Sequence, residues 1–302
     1  MPLPHIAVIA LVNLVWGTNI VFSKIALDEF PPLLFAALRF LLLALLLIPV
    51  LKPVKGEMRT IVLAGLSMGA LHFTFIYVGL MRAEDIAGIA VATQLFVPFA
   101  TLLSVIFLGE RIGWRRTLGI TLAFGGVMYM SFDPAVLRDL DALLLVSAGA
   151  LVAAAGMIFM KRIREAGVFQ LQAWIAVVSF PLLVVASLVF ESGQTAAMQA
   201  ASQQAWVILL YTVLGASLLG HGGMYWLLRR HDVSVISPTT IISVLVAIAL
   251  GVVMFDETLS RDMIIGGSVA LLGILIVAVR QPRRGPTPPA SIPPVIPNSR
   301  SH

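Results

Sequence analysis

The sequence predicts an all-α polytopic membrane protein whose ten transmembrane helices form two inverted five-helix repeats. Three observations predict this fold: the composition, the spacing of the apolar segments and an internal similarity between the two halves of the chain. Of the 302 residues, 59% are hydrophobic and 12% are charged, whereas soluble domains are about half apolar and a quarter charged. A bilayer accommodates so apolar a chain because lipid replaces water around the outer faces of the helices.

A helix crosses the hydrocarbon core of a bilayer with about 20 residues. Charged residues and clusters of Pro or Gly divide the chain into segments of roughly that length. The predicted spans are Ile6–Leu27, Leu33–Leu51, Thr60–Met81, Ile86–Leu108, Thr117–Phe132, Ala142–Lys161, Phe169–Phe190, Ala205–Leu228, Val233–Phe255 and Met263–Val279. No basic leader precedes the first segment, so we expect a retained span rather than a removed signal peptide.

The Lys and Arg residues predict the orientation of the chain. When successive loops are assigned to alternate sides, one side receives fifteen basic residues, which are Lys52, Lys55, Arg59, Arg111, Arg115, Arg116, Lys161, Arg162, Arg164, Arg229, Arg230, Arg280, Arg283, Arg284 and Arg300. The other side receives four, which are Lys24, Arg82, Arg138 and Arg261. Since the basic excess marks the cytoplasmic side, both termini are expected in the cytoplasm. The net charge of +5 therefore reflects topology and not a nucleic-acid-binding surface.

The sequence gives no support for several kinds of chemistry. The chain has no cysteine, which excludes disulfides and thiolate sites. Its five histidines have no metal-ligand spacing, and no Walker phosphate loop is present. We therefore expect no metal, no cofactor and no ATP-driven step within this chain.

The second half of the chain resembles the first. A shift of 147 residues aligns the third to fifth predicted spans with the eighth to tenth. The aligned pairs include Gly109 with Asp256, Glu110 with Glu257, Gly119 with Gly266, Ala123 with Ala270 and Gly126 with Gly273. Shared glycines and acidic turn residues indicate an internal repeat rather than a similarity of composition alone.

Each repeat contains an odd number of spans, so the second repeat must enter the membrane from the opposite side. We expect the repeats at residues 1–133 and 140–280, followed by a disordered cytoplasmic tail at 281–302 that is rich in Pro, Ser and Arg. Inverted repeats are typical of secondary transporters, in which two similar halves exchange conformations and expose one central site to either side.

Four segments resemble the EamA domain of the drug/metabolite transporter (DMT) superfamily. They are VWGTNIVFSKIAL from Val15, PPLLFAALRF from Pro31, LGERIGWRRTLGITLAFGGV from Leu108 and FDETLSRDMIIGGSVALLGILIV from Phe255. The resemblance extends from Ile6 to Val279, and it is greatest to bacterial amino-acid and metabolite exporters of the O-acetylserine/cysteine type. It implies ten helices around a central cavity lined mainly by spans one, three, four, six, eight and nine. It also implies residence in the plasma (inner) membrane of a bacterium.

Polar side chains at membrane depth are costly, and they tend to face the interior of a bundle or a wet cavity. The candidates for substrate binding are Trp16, Asn19, His72, Tyr77, Gln94, Trp174, His221, Tyr225 and Thr239. Few formal charges lie among them, which favours a small neutral or zwitterionic substrate held by hydrogen bonds and aromatic side chains.

Two of these candidates have a specific local argument. Asn19 lies one helical turn from Trp16, so an amide group sits beside a large apolar ring. Pro98 removes the helical hydrogen bond to the carbonyl of Gln94 and can bend the fourth span, which makes this carbonyl a candidate ligand. Pro238 provides a similar break in the ninth span. Helix packing is the alternative interpretation in each case.

Three residues are candidates for gating or coupling. His72 and His221 lie at nearly corresponding positions of the two repeats, and imidazole changes its charge near neutral pH. Either could bind a proton that drives transport, although a structural, hydrogen-bonded role is the alternative. Lys24 is expected to form a gate contact with Asp28 or Glu29.

Three charged residues are expected to be structural. Arg39 lies inside the second span, where it is expected to bond freed carbonyls or to extend toward the membrane surface. Glu110 and Glu257 each precede the last helix of their repeat, and a carboxylate there complements the positive end of the helix. We expect each to cap that helix, Glu110 at the cytoplasmic face and Glu257 outside.

The leading functional interpretation is a secondary carrier that exports amino acids or related metabolites by alternating access, without enzymatic activity. Its expected partners are the lipid bilayer, a small-molecule substrate and protons, and the oligomeric state is not indicated. Carriers of drugs, nucleotide sugars or sugar phosphates, a membrane sensor and an intramembrane enzyme are alternatives. Ser217 precedes His221 by one turn, but no G-x-S-x-G elbow surrounds it.

Overall fold

The computed structural model describes residues 2–109, 112–228, 230–231 and 236–279. These residues form helices, turns and short loops, and none of them forms a β-strand. Glu110 and residues 281–302 lie outside the described residues, as do the side chains of Tyr225 and Pro238. The predicted all-α polytopic fold is confirmed, because the helices are long and apolar enough for repeated membrane crossing.

Within the described ranges, helices α1 to α10 occupy the predicted spans. They are α1 (Leu3–Leu27), α2 (Pro32–Leu47), α3 (Met58–Arg82), α4 (Ile86–Thr93 and Phe96–Leu108), α5 (Trp114–Met130), α6 (Leu140–Met160), α7 (Val168–Phe190), α8 (Gln203–Tyr211, Thr212–His221 and Gly222–Leu228), α9 (Ile241–Phe255) and α10 (Arg261–Ala278). Short 3₁₀ turns follow α2 at Ile48–Val50 and precede α9 at Ser237–Thr240, and short helices precede α6 and α8 at Pro134–Arg138 and Gln194–Ala200.

Eight of these helices have at least 18 residues and enough apolar character to cross a membrane, when α2 is counted together with the 3₁₀ turn that extends it to Val50. The other two, α5 and α9, are shorter, with 17 and 15 residues. Large apolar side chains such as Phe107, Phe132, Phe190 and Val253 are exposed on the outside of the bundle. In a membrane this outer surface contacts lipid, which explains why the helices carry so little polar surface.

Short polar or turn-forming residues set the ends of several helices. Ser202 and Ser260 accept hydrogen bonds from backbone N–H groups three residues ahead and so cap α8 and α10. Gly109 and Asp256 end α4 and α9 with left-handed φ angles of 64° and 54°, a conformation that glycine and short polar residues tolerate best. The two residues are aligned by the 147-residue shift, so these turns match in conformation as well as in sequence.

Glycines bring α5 and α10 into close contact. A Cβ atom at Gly126 would lie 2.3 Å from the backbone nitrogen of Ala270, and one at Gly119 would lie 2.8 Å from the carbonyl oxygen of Gly273. A Cβ at Gly266 would meet the carbonyl oxygen of Gly126 at 2.7 Å. Early residues of α5 therefore meet late residues of α10, so the two helices run antiparallel and contact each other through repeat-related glycines.

The main contacts between the two halves of the chain come in repeat-related pairs. Helix α1 packs on α8 and α9, and its counterpart α6 packs on α3 and α4. Helix α2 packs on α7, and α5 on α10, so in both cases a helix meets its own counterpart. The contacts between the two halves of the chain therefore follow a two-fold pattern.

Candidate functional site

Wide helical turns interrupt α3 and α8. Residues Gly65–Leu71 of α3 and Thr212–His221 of α8 form π-helical segments, and the two segments begin 147 residues apart, at repeat-related positions. His72 directly follows the first segment, and His221 ends the second. Such π turns are rare and frequently occur at functional sites, so both predicted coupling residues lie where the backbone departs from a regular helix.

Arg39 of α2 is buried between α3 and α8, with 3% of its surface exposed. Its Nη1 donates to the hydroxyl of Tyr77 at 2.5 Å and its Nη2 to the hydroxyl of Ser217 at 3.0 Å. The guanidinium also lies 4.4 Å from the ring centroid of Phe73, a cation–π contact. The expectation that Arg39 bonds freed carbonyls or extends toward the membrane surface is therefore wrong. Two hydroxyls and an aromatic face hold its charge inside the bundle.

His72 and His221 each use Nδ1 in a hydrogen bond to a backbone carbonyl. The acceptor is Gly149 of α6 for His72 and Ala216 of the same helix for His221, both at 2.9 Å. Since a carbonyl oxygen only accepts, Nδ1 donates in both bonds, and the Nε2 atom of each ring is left to accept a proton or a hydrogen bond. The side chain of His221 is exposed, and its ring meets the Trp16 ring edge-on with 5.4 Å between centroids.

Helix α1 carries polar atoms without partners. The Oδ1 of Asn19 and the Oγ of Ser23, one turn apart, are buried and have no hydrogen bond in the described part of the protein. Nearby, the Trp16 indole donates to the carbonyl of Ala216 at 3.2 Å. Such buried acceptors cost about 1–3 kcal/mol each unless water or a ligand supplies a donor. The Asn19 Oδ1 is therefore an acceptor without a donor in the described part of the protein.

The fourth helix is interrupted at Gln94 and Leu95, where a turn separates its two segments. The carbonyl of Gln94 accepts a hydrogen bond from the backbone N–H of Val97 at 3.0 Å. The expectation of a freed Gln94 carbonyl beside Pro98 is therefore wrong, because the backbone tightens into a turn that satisfies it. The Gln94 side chain instead reaches the carbonyl of Thr240, the last residue of the 3₁₀ turn before α9, at 3.5 Å.

Trp174 and Thr239 make hydrogen bonds to groups outside the predicted site, whereas Tyr77 is bonded to Arg39. Trp174 donates to the carbonyl of Lys52 in the loop after α2, at 2.9 Å, and not to another predicted site residue. Thr239 donates to the carbonyl of Ile236 at 2.6 Å, a local turn contact. Tyr77 is buried and is bonded to Arg39, as described above.

Lys24 does not form the expected contact with Asp28 or Glu29. Its Nζ donates to the carbonyls of Met81 and Ala83, at 3.1 and 2.6 Å, where α3 ends. A cation stabilises the negative end of a helix, and Lys24 has that role here. The Glu29 carboxylate binds Ser202, and these hydrogen bonds lower its pKa.

Glu257 is buried at the junction of the two halves, with 7% of its surface exposed. Its carboxylate accepts hydrogen bonds from the backbone N–H groups of Ile86 and Ala87 at 2.5 and 3.2 Å. It therefore caps α4 of the other half. The expectation that Glu257 caps α10 is wrong, because Ser260 occupies that position.

The surroundings of Glu257 disfavour its charged form. Burial raises the pKa of this carboxyl above its ordinary value of 4.5, the two N–H donors oppose that effect, and the nearby Asp85 and Asp139 carboxyls reinforce it. Burial, followed by the charges of Asp139 and Glu84, also raises the pKa of Asp85. This end of the bundle therefore places several carboxyl groups together at a contact between the halves, where their charged forms are disfavoured.

Two further polar residues were not among the predicted site residues. Ser217 bonds Arg39 and donates to the carbonyl of Thr212 at 3.1 Å. Both side-chain atoms of Gln172 in α7 are buried without partners. The sequence drew attention to Ser217 only as a conceivable hydrolase nucleophile, because a single polar residue in an apolar helix gives no indication of the side that it faces. Among the described residues, no group of three His, Asp or Glu side chains could hold a metal ion.

Comparison with known proteins gives a family match in both halves. Residues 3–132 and 140–279 match the model of the EamA-like transporter family. The probable amino-acid metabolite efflux pump of Escherichia coli (strain K12) is 28% identical over 276 residues, which are 88% of this chain and 92% of that protein. The protein of the same name from Salmonella typhimurium is 28% identical over 277 residues, with the same coverage.

Two further similarities are more distant. An uncharacterized transporter of Bacillus subtilis, YoaV, is 23% identical over 276 residues, which are 88% of this chain and 93% of that protein. A protein of known crystal structure superposes with a TM-score of 0.62 at 17% identity, covering 91% of this chain and 96% of that one. At this identity, the structural likeness bears on the fold alone.

Proposed function

The chain belongs to the EamA-like transporter family, and from this membership we propose that it is a secondary carrier that exports amino acids or related metabolites by alternating access. The names of the Escherichia coli and Salmonella relatives, probable amino-acid metabolite efflux pumps, support that direction and that class of substrate. The chain would act in the inner membrane of a bacterium, with both termini in the cytoplasm.

The two-fold pattern of contacts between the halves is the observation that carries this proposal. Counterpart helices meet in the pairs α2 with α7 and α5 with α10, and α1 and α6 make equivalent contacts. We propose that residues 1–133 and 140–280 are inverted repeats, with all ten helices crossing the membrane. When the halves exchange conformations, a site between them opens to one side or the other.

The proposed substrate site is a central cavity at the seam between the halves. Asn19 of α1 offers an acceptor without a partner, which suits an ammonium group. Gln94 lies at the break in α4, and the exposed His221 ring lies against Trp16. These groups belong to helices of both halves, as a site with alternating access requires.

Proton coupling would involve His72 and His221. Each imidazole is held by one nitrogen beside a π-helical segment, so a change of protonation could be transmitted to the backbone of α3 or α8. Exchange of substrate for protons would make the transport rate depend on the pH gradient across the membrane.

Carriage of another small solute is the second candidate, because a polar and aromatic cavity accepts many small molecules. A sensor or an intramembrane hydrolase is less well supported. In particular, the hydrogen bonds of the Ser217 hydroxyl go to Arg39 and the Thr212 carbonyl, rather than to an imidazole base.

Counterflow into proteoliposomes tests this proposal, with a panel of amino acids and two pH gradients. We expect Asn19→Ala and Gln94→Ala each to lower amino-acid counterflow on the order of tenfold, the effect of losing one hydrogen bond to a charged ligand. Thr121→Ala is the matched control, because Thr121 is exposed on α5 and bonds its own helix. Wild-type rates in both site variants, with folded protein, would contradict the site assignment.

A further inference from the structure

Arg39 has no carboxylate partner in the described part of the chain. The salt bridge found there joins Arg82 to Asp141 at the surface, while Arg39 has the neutral hydroxyls of Tyr77 and Ser217 as its hydrogen-bond partners. Its Nε is buried and has no partner at all. A buried guanidinium that is not compensated by an anion is costly. Binding of an anion beside Arg39 would therefore be favourable.

Arg39 lies between the two halves of the chain, where the substrate site is proposed. Tyr77 belongs to α3 of the first half, whereas Ser217 belongs to α8 of the second half, so the guanidinium bridges the seam. Ser217 lies in the π-helical segment that ends at His221. The Phe73 ring that the Arg39 guanidinium contacts lies 4.9 Å from the His72 ring, centroid to centroid.

We propose that Arg39 binds the carboxylate of the transported metabolite, which makes a free carboxylate a requirement for transport; this inference rests on the proposed carrier function. The planar guanidinium has five N–H donors and pairs with a carboxylate through two parallel hydrogen bonds. The Nε edge of Arg39 is available for such a pair once the Ser217 hydroxyl is displaced from Nη2. The Tyr77 hydroxyl and the Phe73 ring then keep the guanidinium oriented.

The test compares amino acids with their carboxamides, which are similar in shape and lack the carboxylate. Counterflow and thermal stabilisation of the purified protein are measured for wild type, Arg39→Gln and Arg82→Gln. We expect wild type to transport and bind the acids in preference to the amides. Arg39→Gln should lose at least about tenfold in acid affinity, which corresponds to 1.4 kcal/mol, whereas Arg82→Gln, at the surface, should retain the preference.

Ser217→Ala provides a second variant that keeps the buried charge. We expect acids to bind it at least as tightly as wild type, because the carboxylate no longer displaces a hydroxyl. A purely structural role for Arg39 predicts lower stability in both variants without a change in the preference for acids. Equal treatment of acids and amides by wild type, or an unchanged preference in Arg39→Gln, would overturn the assignment.

The same measurements distinguish a failure of the Arg39 assignment from a failure of the proposed carrier function. If wild type transported no member of the panel, the carrier function would be contradicted. Stabilisation by acids and not by amides, lost in Arg39→Gln, would still identify Arg39 as a carboxylate-binding residue. No stabilisation by any acid would overturn the Arg39 assignment as well.

Discussion

The Glu257 carboxylate joins the two halves of the protein by accepting hydrogen bonds from Ile86 and Ala87 at the start of α4. Glu257→Ala removes both acceptors, so we expect a loss of stability of about 1–2 kcal/mol, the usual cost of losing a helix cap. Glu257→Gln keeps one oxygen and removes a charge that burial disfavours, so its stability at neutral pH should equal or exceed that of wild type. Thermal unfolding in detergent measures both.

The pH dependence of stability gives a sharper form of this prediction. Because the pKa of Glu257 is raised in the folded protein, the folded state binds this proton more tightly than the unfolded state. The stability that this proton contributes is present below the unfolded pKa of 4.5 and is lost as the pH rises through the folded pKa. Glu257→Gln should lack that decline. Equal pH slopes for wild type and Glu257→Gln would contradict the assignment, and Glu165→Gln, an exposed carboxyl, is the control.

Single residues could be identified from the sequence more readily than their partners. The sequence pointed to Arg39, Glu257 and Lys24 as charges at or near the membrane, yet each of them bonds groups other than those expected. The partner of a side chain depends on the direction in which a helix faces, and in helices that are apolar all round the sequence carries little information on that direction.

At the scale of helices, the close approach of α5 and α10 predicts different effects for two adjacent glycines. A Cβ at Gly126 would meet backbone atoms of α10 at 2.3 and 2.5 Å, whereas one at Gly125 has nothing within 4 Å. We expect Gly126→Ala to lose about 1–3 kcal/mol of stability through overpacking. Gly125→Ala should be neutral or gain up to about 1 kcal/mol, because alanine favours the helix.

Gly266 and Gly267 of α10 form a second pair of adjacent glycines for the same comparison. Thermal unfolding in detergent measures the stability of the variants of both pairs. A Cβ at Gly266 would meet the carbonyl of Gly126 at 2.7 Å, while one at Gly267 would only touch Val91 at 3.7 Å. Gly266→Ala should therefore unfold at a lower temperature than Gly267→Ala. If the members of either pair unfolded alike, the helix contact described here would be incorrect.

The helices themselves could be predicted from sequence, whereas their irregularities could not. Apolar runs about 20 residues long identify the spans, because only helices satisfy their own backbone in lipid. The π-helical segments at Gly65–Leu71 and Thr212–His221 leave hydropathy unchanged. The break at Gln94 was partly foreseen from Pro98, but the turn that satisfies its carbonyl depends on local backbone geometry that no periodicity reports.

At the scale of the whole molecule, the internal repeat predicted from the sequence depends in part on aligned glycines of α5 and α10. The same glycines meet each other between α5 and α10 in the structure. Their antiparallel order places the start of α5 and the start of α10 at opposite ends of the pair. If both helices cross the membrane, the loops that precede them must lie on opposite sides.

Labelling of single cysteines tests this topology directly, because the chain contains no cysteine of its own. Gly113 and Thr258 are exposed positions just before α5 and α10, and the basic loops predict that Gly113 faces the cytoplasm. A membrane-impermeant maleimide should label Thr258→Cys in intact spheroplasts and label Gly113→Cys only after lysis. Labelling of both in intact spheroplasts would rule out the inverted arrangement. The reverse pattern would keep the inversion but place the termini outside. The inversion follows from the odd number of helices in each repeat, whereas the orientation follows from the distribution of basic residues.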